Sequence, residues 1–399
     1  MDNGNLEALA DLAVKLGANV QQGQIVTIGA NIGQASLARA IAAASYKRGA
    51  SFVDVQYFDP HVKRARIQYA PDETLDVVPS WYRERLLAIG RERAARISLA
   101  GPSELGVLDD LDPERAGRDQ LPFVREILTI INDHSTNWTV VPCPTPAWAQ
   151  LAFPDLSPED GLTRLWTEVA HVCRLDEPDP VAAWDERIAT LAGVAARLNE
   201  RRFDSVHFEG PDTDLSVGLL PSSTWSTAQD RTVDDVVHLA NLPTEEVYCS
   251  PDPDRTEGRV RSTKPLVLGD GTIIRGLEVR FEGGRAVHID ADQGGGVLRG
   301  RSRIDEGASR LGEVALVDRE GRIGRLGTVF YDTLLDENAA SHIALGEGSD
   351  DYLADEDKPR RNHSSIHIDF MIGGDAVDVT GITREGERVP VLRGGSWQL

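Results

Sequence analysis

Cysteine is scarce in this 399-residue chain: Cys143, Cys173 and Cys249 form an odd, widely spaced set with no CxxC pair. That excludes a disulfide framework and a thiolate zinc site, and leaves the three as small buried hydrophobes. Basic residues are in deficit, 42 Lys plus Arg against 64 Asp plus Glu, for a net charge of -22. No basic cluster overrides that field, so nucleic acid and an anionic membrane surface are poor partners. Long apolar runs are missing as well, since none approaches the ~18 residues of a membrane-spanning helix. The opening MDNGNLEALA has an acidic residue where a secretory signal carries positive charge, and no apolar h-region follows. The expected location is the cytoplasm. Around Gly29 and Gly33, GANIGQAS fits neither GxGxxG nor the P-loop pattern, so no nucleotide site is expected there.

What is present suits two globular domains of roughly 150–200 residues each. The first hundred residues alternate helical spacing (LEALADLAVKLG, SLARAIAAASYKRGA, SWYRERLLAIGRERAA) with short extended runs (QIVTIGAN, SFVDVQYF, RISLAG). This β-α-β rhythm predicts an α/β N-terminal domain with a mostly parallel sheet. Residues 155–205 read as amphipathic helix and give way to strand-like VHFEG, which places the boundary between domains 1–205 and 206–399. The second half, with turn pairs Asp270-Gly271 and Gly283-Gly284 between extended runs, predicts an α+β domain with an antiparallel sheet. Gly294 to Gly296 is expected to be a turn, and the charged stretch 350–365 an exposed loop. The seven tryptophans are expected to pack.

Chemistry concentrates in the second half. His61, His134, His171, His207, His238 and His288 have no partner in their own sequence surroundings and are read as structural. His367 and Asp369 differ, because residues i and i+2 of a strand share a face and can meet one cation. His342 follows an acidic stretch containing Asp336, Glu337 and Asn338. Glu246 and Glu313 lie inside apolar strand-like runs, where a carboxylate is costly unless paired or metal-bound. If these three carboxylates and two imidazoles converge, two divalent cations exceed the carboxylate charge by one, which a bridging hydroxide would neutralise. Imidazole with carboxylate and no thiolate suits zinc, cobalt or manganese.

The strings TNWTVVPCPTPAWA (136–149), FEGPDTDLSVGL (208–219), NLPTEEVYC (241–249), RLGEVALV (310–317), FYDTLLDENAASHIALG (330–346) and HIDFMIG (367–373) resemble those of the M29 metallo-aminopeptidases, the thermophilic aminopeptidase family. The likeness runs in order along essentially the whole chain. It implies an α/β N-terminal domain, a C-terminal domain with a dinuclear metal site, a homodimer, and removal of N-terminal residues from peptides through a metal-bridging water. The family's metal ligands match Glu246, Glu313, His342, His367 and Asp369, and Glu245 beside the first is a candidate general base. Regular strand alternation would turn Glu245 away from Glu246. The family also places a Tyr seven residues after the ASH histidine. Here that position is Ser349, so either Tyr352 takes over the role or a transition-state contact is missing. The acidic field favours substrates with a free, positively charged N-terminus.

Two other chemistries compete. His342, His367 and Asp369 have the ligand count of a mononuclear iron oxygenase, and ring-cleaving dioxygenases are similar in this half, although the two glutamates count against them. A non-catalytic dimeric metal-binding protein is the third reading, prompted by Ser349.

Overall fold

In the computed structural model, which describes residues 3–119, 121–122, 124–268 and 271–399, the chain alternates strands and helices before turning into antiparallel sheet. Strands β1 (Ile25–Asn31), β2 (Phe52–Phe58), β3 (Ala95–Ala100) and β4 (Trp138–Pro142) form a parallel sheet in the order β2-β1-β3-β4. Helices cross between these strands, and three helices that follow β4 have starts written in the sequence. Thr145, Ser157 and Asp179 each precede a proline at the first helical position, and each side chain accepts a hydrogen bond from a first-turn backbone N–H.

The second half contains a larger antiparallel sheet built from β5 (Phe203–Gly210), β6 (Thr213–Leu219), β10 (Pro251–Arg261), β13 (Glu278–Glu282), β14 (Arg285–Asp290), β18 (Asp378–Thr383), β19 (Arg388–Arg393) and β20 (Ser396–Trp397), in the order β14-β13-β10-β6-β5-β18-β19-β20. A four-stranded sheet, β17-β16-β15-β9, uses β9 (Glu246–Cys249), β15 (Leu311–Val317), β16 (His342–Gly346) and β17 (His367–Met371). Two hairpins complete the set, β7 (Gln229–Arg231) with β8 (Val237–Leu239) and β11 (Leu266–Val267) with β12 (Ile273–Ile274).

Two large hydrophobic cores follow from this layout among the described residues, and the halves interlock. The helix Pro180–Arg201 gives Trp184 and Ile188 to the first core and Leu191, Val194 and Leu198 to the second. Leu239, Leu242, Ile323 and Phe330 from the second half also enter the first core. Val140 of β4 exchanges backbone hydrogen bonds with Ala240 and Leu242, at 2.8 and 3.0 Å, so the parallel sheet fixes the chain just ahead of Glu246.

Several sequence expectations need revision. Both glycines of the Gly283-Gly284 turn have positive φ, as a tight hairpin requires, but Asp270 of the other pair lies outside the described residues. Gly294 is not simply a turn: at φ +77° it caps a helix, Gly295–Arg301. The 350–365 stretch is anchored, with Leu353, Asp357, Asn362 and Ser364 buried. Its polar side chains replace missing secondary structure: Asp357 accepts from the Ser222 backbone and hydroxyl, and Asn362 donates to the carbonyls of Gly307 and Gly346. Trp148 and Trp184 are fully buried, whereas Trp81 is 67% exposed. Tertiary contacts also give carboxylate partners to histidines that have none in sequence, namely His61 with Glu104, His134 with Asp230 and Asp351, His171 with Asp176, and His207 with Asp214. The three cysteines are buried and free.

Candidate metal centre

The register of the four-stranded sheet collects the candidate residues. Glu246 lies opposite Val317, Tyr248 and His342 both lie opposite Ala315, Glu313 and Asp369 both lie opposite Ala344, and His367 lies opposite Gly346. Side chains alternate along each strand, so Glu246, Tyr248, Glu313, His342, His367 and Asp369 share one face. The intervening residues Val247, Val314, Leu316, Ile343, Leu345, Ile368 and Phe370 enter the second core from the other face. Ala315, Ala344 and Gly346 form a floor with no bulk, which leaves room above it for the functional groups.

Distances across this face are short. His342 Nε2 lies 3.1 Å from Glu246 Oε2 and 3.5 Å from Glu313 Oε1. His367 Nε2 lies 3.3 Å from Asp369 Oδ1 and 3.8 Å from Glu313 Oε2. The His342 side chain is 1% exposed and that of His367 30%, so the cluster opens to solvent on the β17 side.

Each ring nitrogen has a defined duty. His342 Nδ1 is 3.1 Å from the Glu337 carbonyl, and His367 Nδ1 is 2.8 Å from the Glu347 carbonyl. A carbonyl only accepts, so Nδ1 carries the hydrogen in both rings and Nε2 is turned to the carboxylates. A neutral ring would aim its Nε2 lone pair at anionic oxygens, so that space calls for a proton or a metal cation. Burial opposes the charged form of both rings, yet Glu246 and Glu313 raise His342 well above its ordinary pKa, and Asp369 and Glu313 bring His367 to about 10. Burial raises Glu313 despite the hydrogen bond from His342, whereas His367 outweighs burial and lowers Asp369. Glu246 Oε2 and Asp369 Oδ1 are buried without a hydrogen-bond partner, which is also the condition of an oxygen directed at a cation.

Glu337 was missed by sequence reasoning. It ends the short helix Thr333–Glu337, and its carboxylate comes within 4.8 Å of ligand atoms on His342 and Asp369. Burial, then Asp369 and Glu246, push its pKa well up. With Glu337 the cluster holds four carboxylates, which balance two divalent ions without the hydroxide that three would require. The available signal was its place five residues before His342, but Asp336 and Asn338 beside it gave no reason to single it out.

Glu245 is not brought to this face. Arg187 Nη2 at 2.5 Å and Arg174 Nη2 at 3.2 Å hold its buried carboxylate, while its backbone N–H donates to Asn338 Oδ1. The arginine pairing leaves the general-base expectation without geometric support. Ser349 is engaged elsewhere, its hydroxyl donating to Asp351 and its backbone bonding Ser250. The Tyr352 hydroxyl lies 2.8 Å from that of Tyr248, with the rings edge to face at 5.3 Å. Burial leads in pushing both phenols up, with the charge of Glu313 adding to each, so both keep their protons at neutral pH.

Comparison with known proteins gives the whole chain a family. The profile of a family described as thermophilic metalloprotease (M29) matches residues 2–397. The chain is 42% identical to aminopeptidase T of Thermus thermophilus over 404 residues, spanning 98% of each. It is 34% identical to aminopeptidase 2 of Geobacillus stearothermophilus over 403 residues, spanning 98% of this chain and 97% of the other. The solved structure of wild-type AmpT from Thermus thermophilus superposes with a TM-score of 0.86 at 41% identity, covering 100% of both chains. The chain belongs to the M29 family of thermophilic metalloproteases and is a metal-dependent aminopeptidase.

Proposed function

We propose that Glu246, Glu313, His342, His367 and Asp369, joined by Glu337, hold two divalent metal ions, and that residues 206–399 are the catalytic domain supported by 1–205. The observation that carries this reading is that Glu246, Glu313 and His342 form one close set, Glu313, His367 and Asp369 form another, and Glu313 is common to both. A residue shared in this way suits a bridging ligand. The oxygen and imidazole donors fit zinc, cobalt or manganese. A single iron on His342, His367 and Asp369 would leave Glu246 and Glu337 buried without a cation, so the oxygenase reading accounts for less of the site.

Bound there, the ions would polarise a scissile carbonyl and acidify a water. The protein groups do the rest. Of the two hydroxyls in the Tyr248 and Tyr352 pair, one donates to the other, which leaves one O–H free to donate to negative charge developing on a substrate oxygen. In this reading Tyr352 fills the role vacated at Ser349, and Glu245 fixes the backbone beside Glu246 through its arginine clamp without touching substrate. Substrates are peptides with a free N-terminus, whose ammonium is drawn by the net charge of -22.

A homodimer belongs to the same reading. β2 is an edge strand that exposes Phe52, with Tyr46 exposed beside it, and Arg85 pairs with Asp54 to bring the Trp81 helix alongside. An apolar edge of this kind suits a second copy of the chain. A cytoplasmic location draws support from the three free cysteines, and no helix among the described residues is long and apolar enough to cross a membrane.

The test uses chelated protein reloaded with zinc, cobalt or manganese and offered paired peptides, free and N-acetylated. Only the free-amino members should be cut, and only with metal. Equal cleavage of acetylated peptides, or full activity after chelation, would overturn the proposal.

A further inference from the structure

His134 belongs to the first half of the chain, just past the helix Arg125–Asn132 and outside every strand of the metal-binding sheet. Its backbone is left-handed, at φ +47°, as it closes the C-terminus of that helix: its N–H donates to the Ile131 carbonyl at 2.8 Å and the Ser135 N–H to the Ile130 carbonyl at 3.2 Å. Val233 ties this helix end to the second half by donating to the His134 carbonyl at 3.0 Å. The ring sits between two carboxylates, Nδ1 at 3.2 Å from Asp230 Oδ1 and Nε2 at 2.5 Å from Asp351 Oδ1. Each nitrogen therefore faces a carboxylate oxygen, one on each edge of the ring. Between two anions the ring keeps both protons, its pKa raised to about 10, and in that form it bridges the two carboxylates as an ion pair.

Asp351 is the neighbour of Tyr352. Its carboxylate also accepts from the Ser349 hydroxyl at 2.9 Å, while Thr224 holds the Tyr352 carbonyl through its backbone N–H at 2.9 Å. The other oxygen of Asp230 faces the buried His238 ring at 3.7 Å, beyond hydrogen-bond reach. Two residues upstream of His134, Asn132 donates to the Glu347 side chain at 3.2 Å, and the Glu347 carbonyl receives His367 Nδ1. The 132–134 segment thus grips the 347–352 segment at both ends.

We infer that His134 is a positioning residue for the aminopeptidase reaction: by bridging Asp230 and Asp351 it holds the 349–352 segment so that the Tyr352 hydroxyl stays against Tyr248 beside the metal-binding carboxylates. This rests on the proposed role of Tyr352. A residue from the first half of the chain, reached through no ligand and no substrate contact, completes the arrangement of the second.

The test is a pair of mutant cycles on the metal-loaded enzyme with a free-amino peptide substrate, reading kcat and KM separately and measuring bound metal. His134→Ala should lower kcat about tenfold with KM within about twofold and metal content unchanged. Asp351→Ala should reproduce this from the other end of the contact, with the double variant no worse than either single one. In a Tyr352→Phe background, His134→Ala should have no further effect on kcat. Multiplying effects in that background, loss of metal, or a change in KM alone would overturn the positioning role. Wild-type kcat in Tyr352→Phe alone would instead refute the role of the tyrosine, and the two failures are told apart by that single variant.

Discussion

Loading the centre with metal must expel protons, and their number follows from the geometry. His342 and His367 each donate from Nδ1 to a backbone carbonyl, so Nε2 is the only nitrogen either can offer to an ion. In the metal-free protein both rings are held in the charged form by the carboxylates they face, His367 up to about 10. At about pH 7 His367 is then neutral in only ~1 molecule in 1,000. A cation can bind Nε2 only after its proton leaves, which gives two protons released per chain from the histidines, and more if Glu337 or Glu313 is protonated beforehand. The sign is fixed: apparent metal affinity rises with pH, about tenfold per pH unit for each proton expelled. Calorimetric titration of zinc or manganese into chelated protein, repeated in buffers of different ionisation enthalpy, counts those protons directly. A binding heat independent of the buffer, or an affinity flat between about pH 6 and 8, would show that the imidazole nitrogens are not ligands.

Ala344 lies between Glu313 and Asp369 on the floor of the centre and is fully buried, so Ala344→Leu should cost about 1–3 kcal/mol of stability and reduce the number of ions bound. Metal analysis with urea unfolding checks this, and unchanged metal content would refute the assignment of that face. Arg187→Ala leaves the buried Glu245 carboxylate with Arg174 alone and should destabilise the protein by about 3 kcal/mol, while folded enzyme retains its kcat. A variant that is stable but inactive would return Glu245 to the catalytic machinery.

Glu246 and Glu313 were legible because a charged residue inside an apolar strand has few physical excuses, and His367 with Asp369 because a period of two puts both on one face. The same alternation foretold that Glu245 would turn away. Glu337 was not legible, since it ends a five-residue helix among polar neighbours where no period applies. The partners of His134 are 96 and 217 residues distant, so no local pattern contains them. The 350–365 stretch was read as exposed from its charge, but Asp357 and Asn362 spend their polarity on the backbones of other segments, a use that composition does not reveal. The β-α-β rhythm of the first half carried over well, because strands such as β1 and β3 and the helix Ala35–Lys47 follow their own local periodicity.

The four-stranded sheet faces the hydrophobic core with one set of side chains and the candidate metal centre with the next. Slipping any one of β9, β15, β16 or β17 by a single residue would exchange these sets, driving carboxylates or imidazole into oil and presenting aliphatic groups where an ion should sit. Correct strand alignment and a competent centre are therefore one and the same event. An ion that bound only the aligned sheet would withdraw that state from the pool of alternatives, and a metal held there would double as an inspector of how the chain has folded.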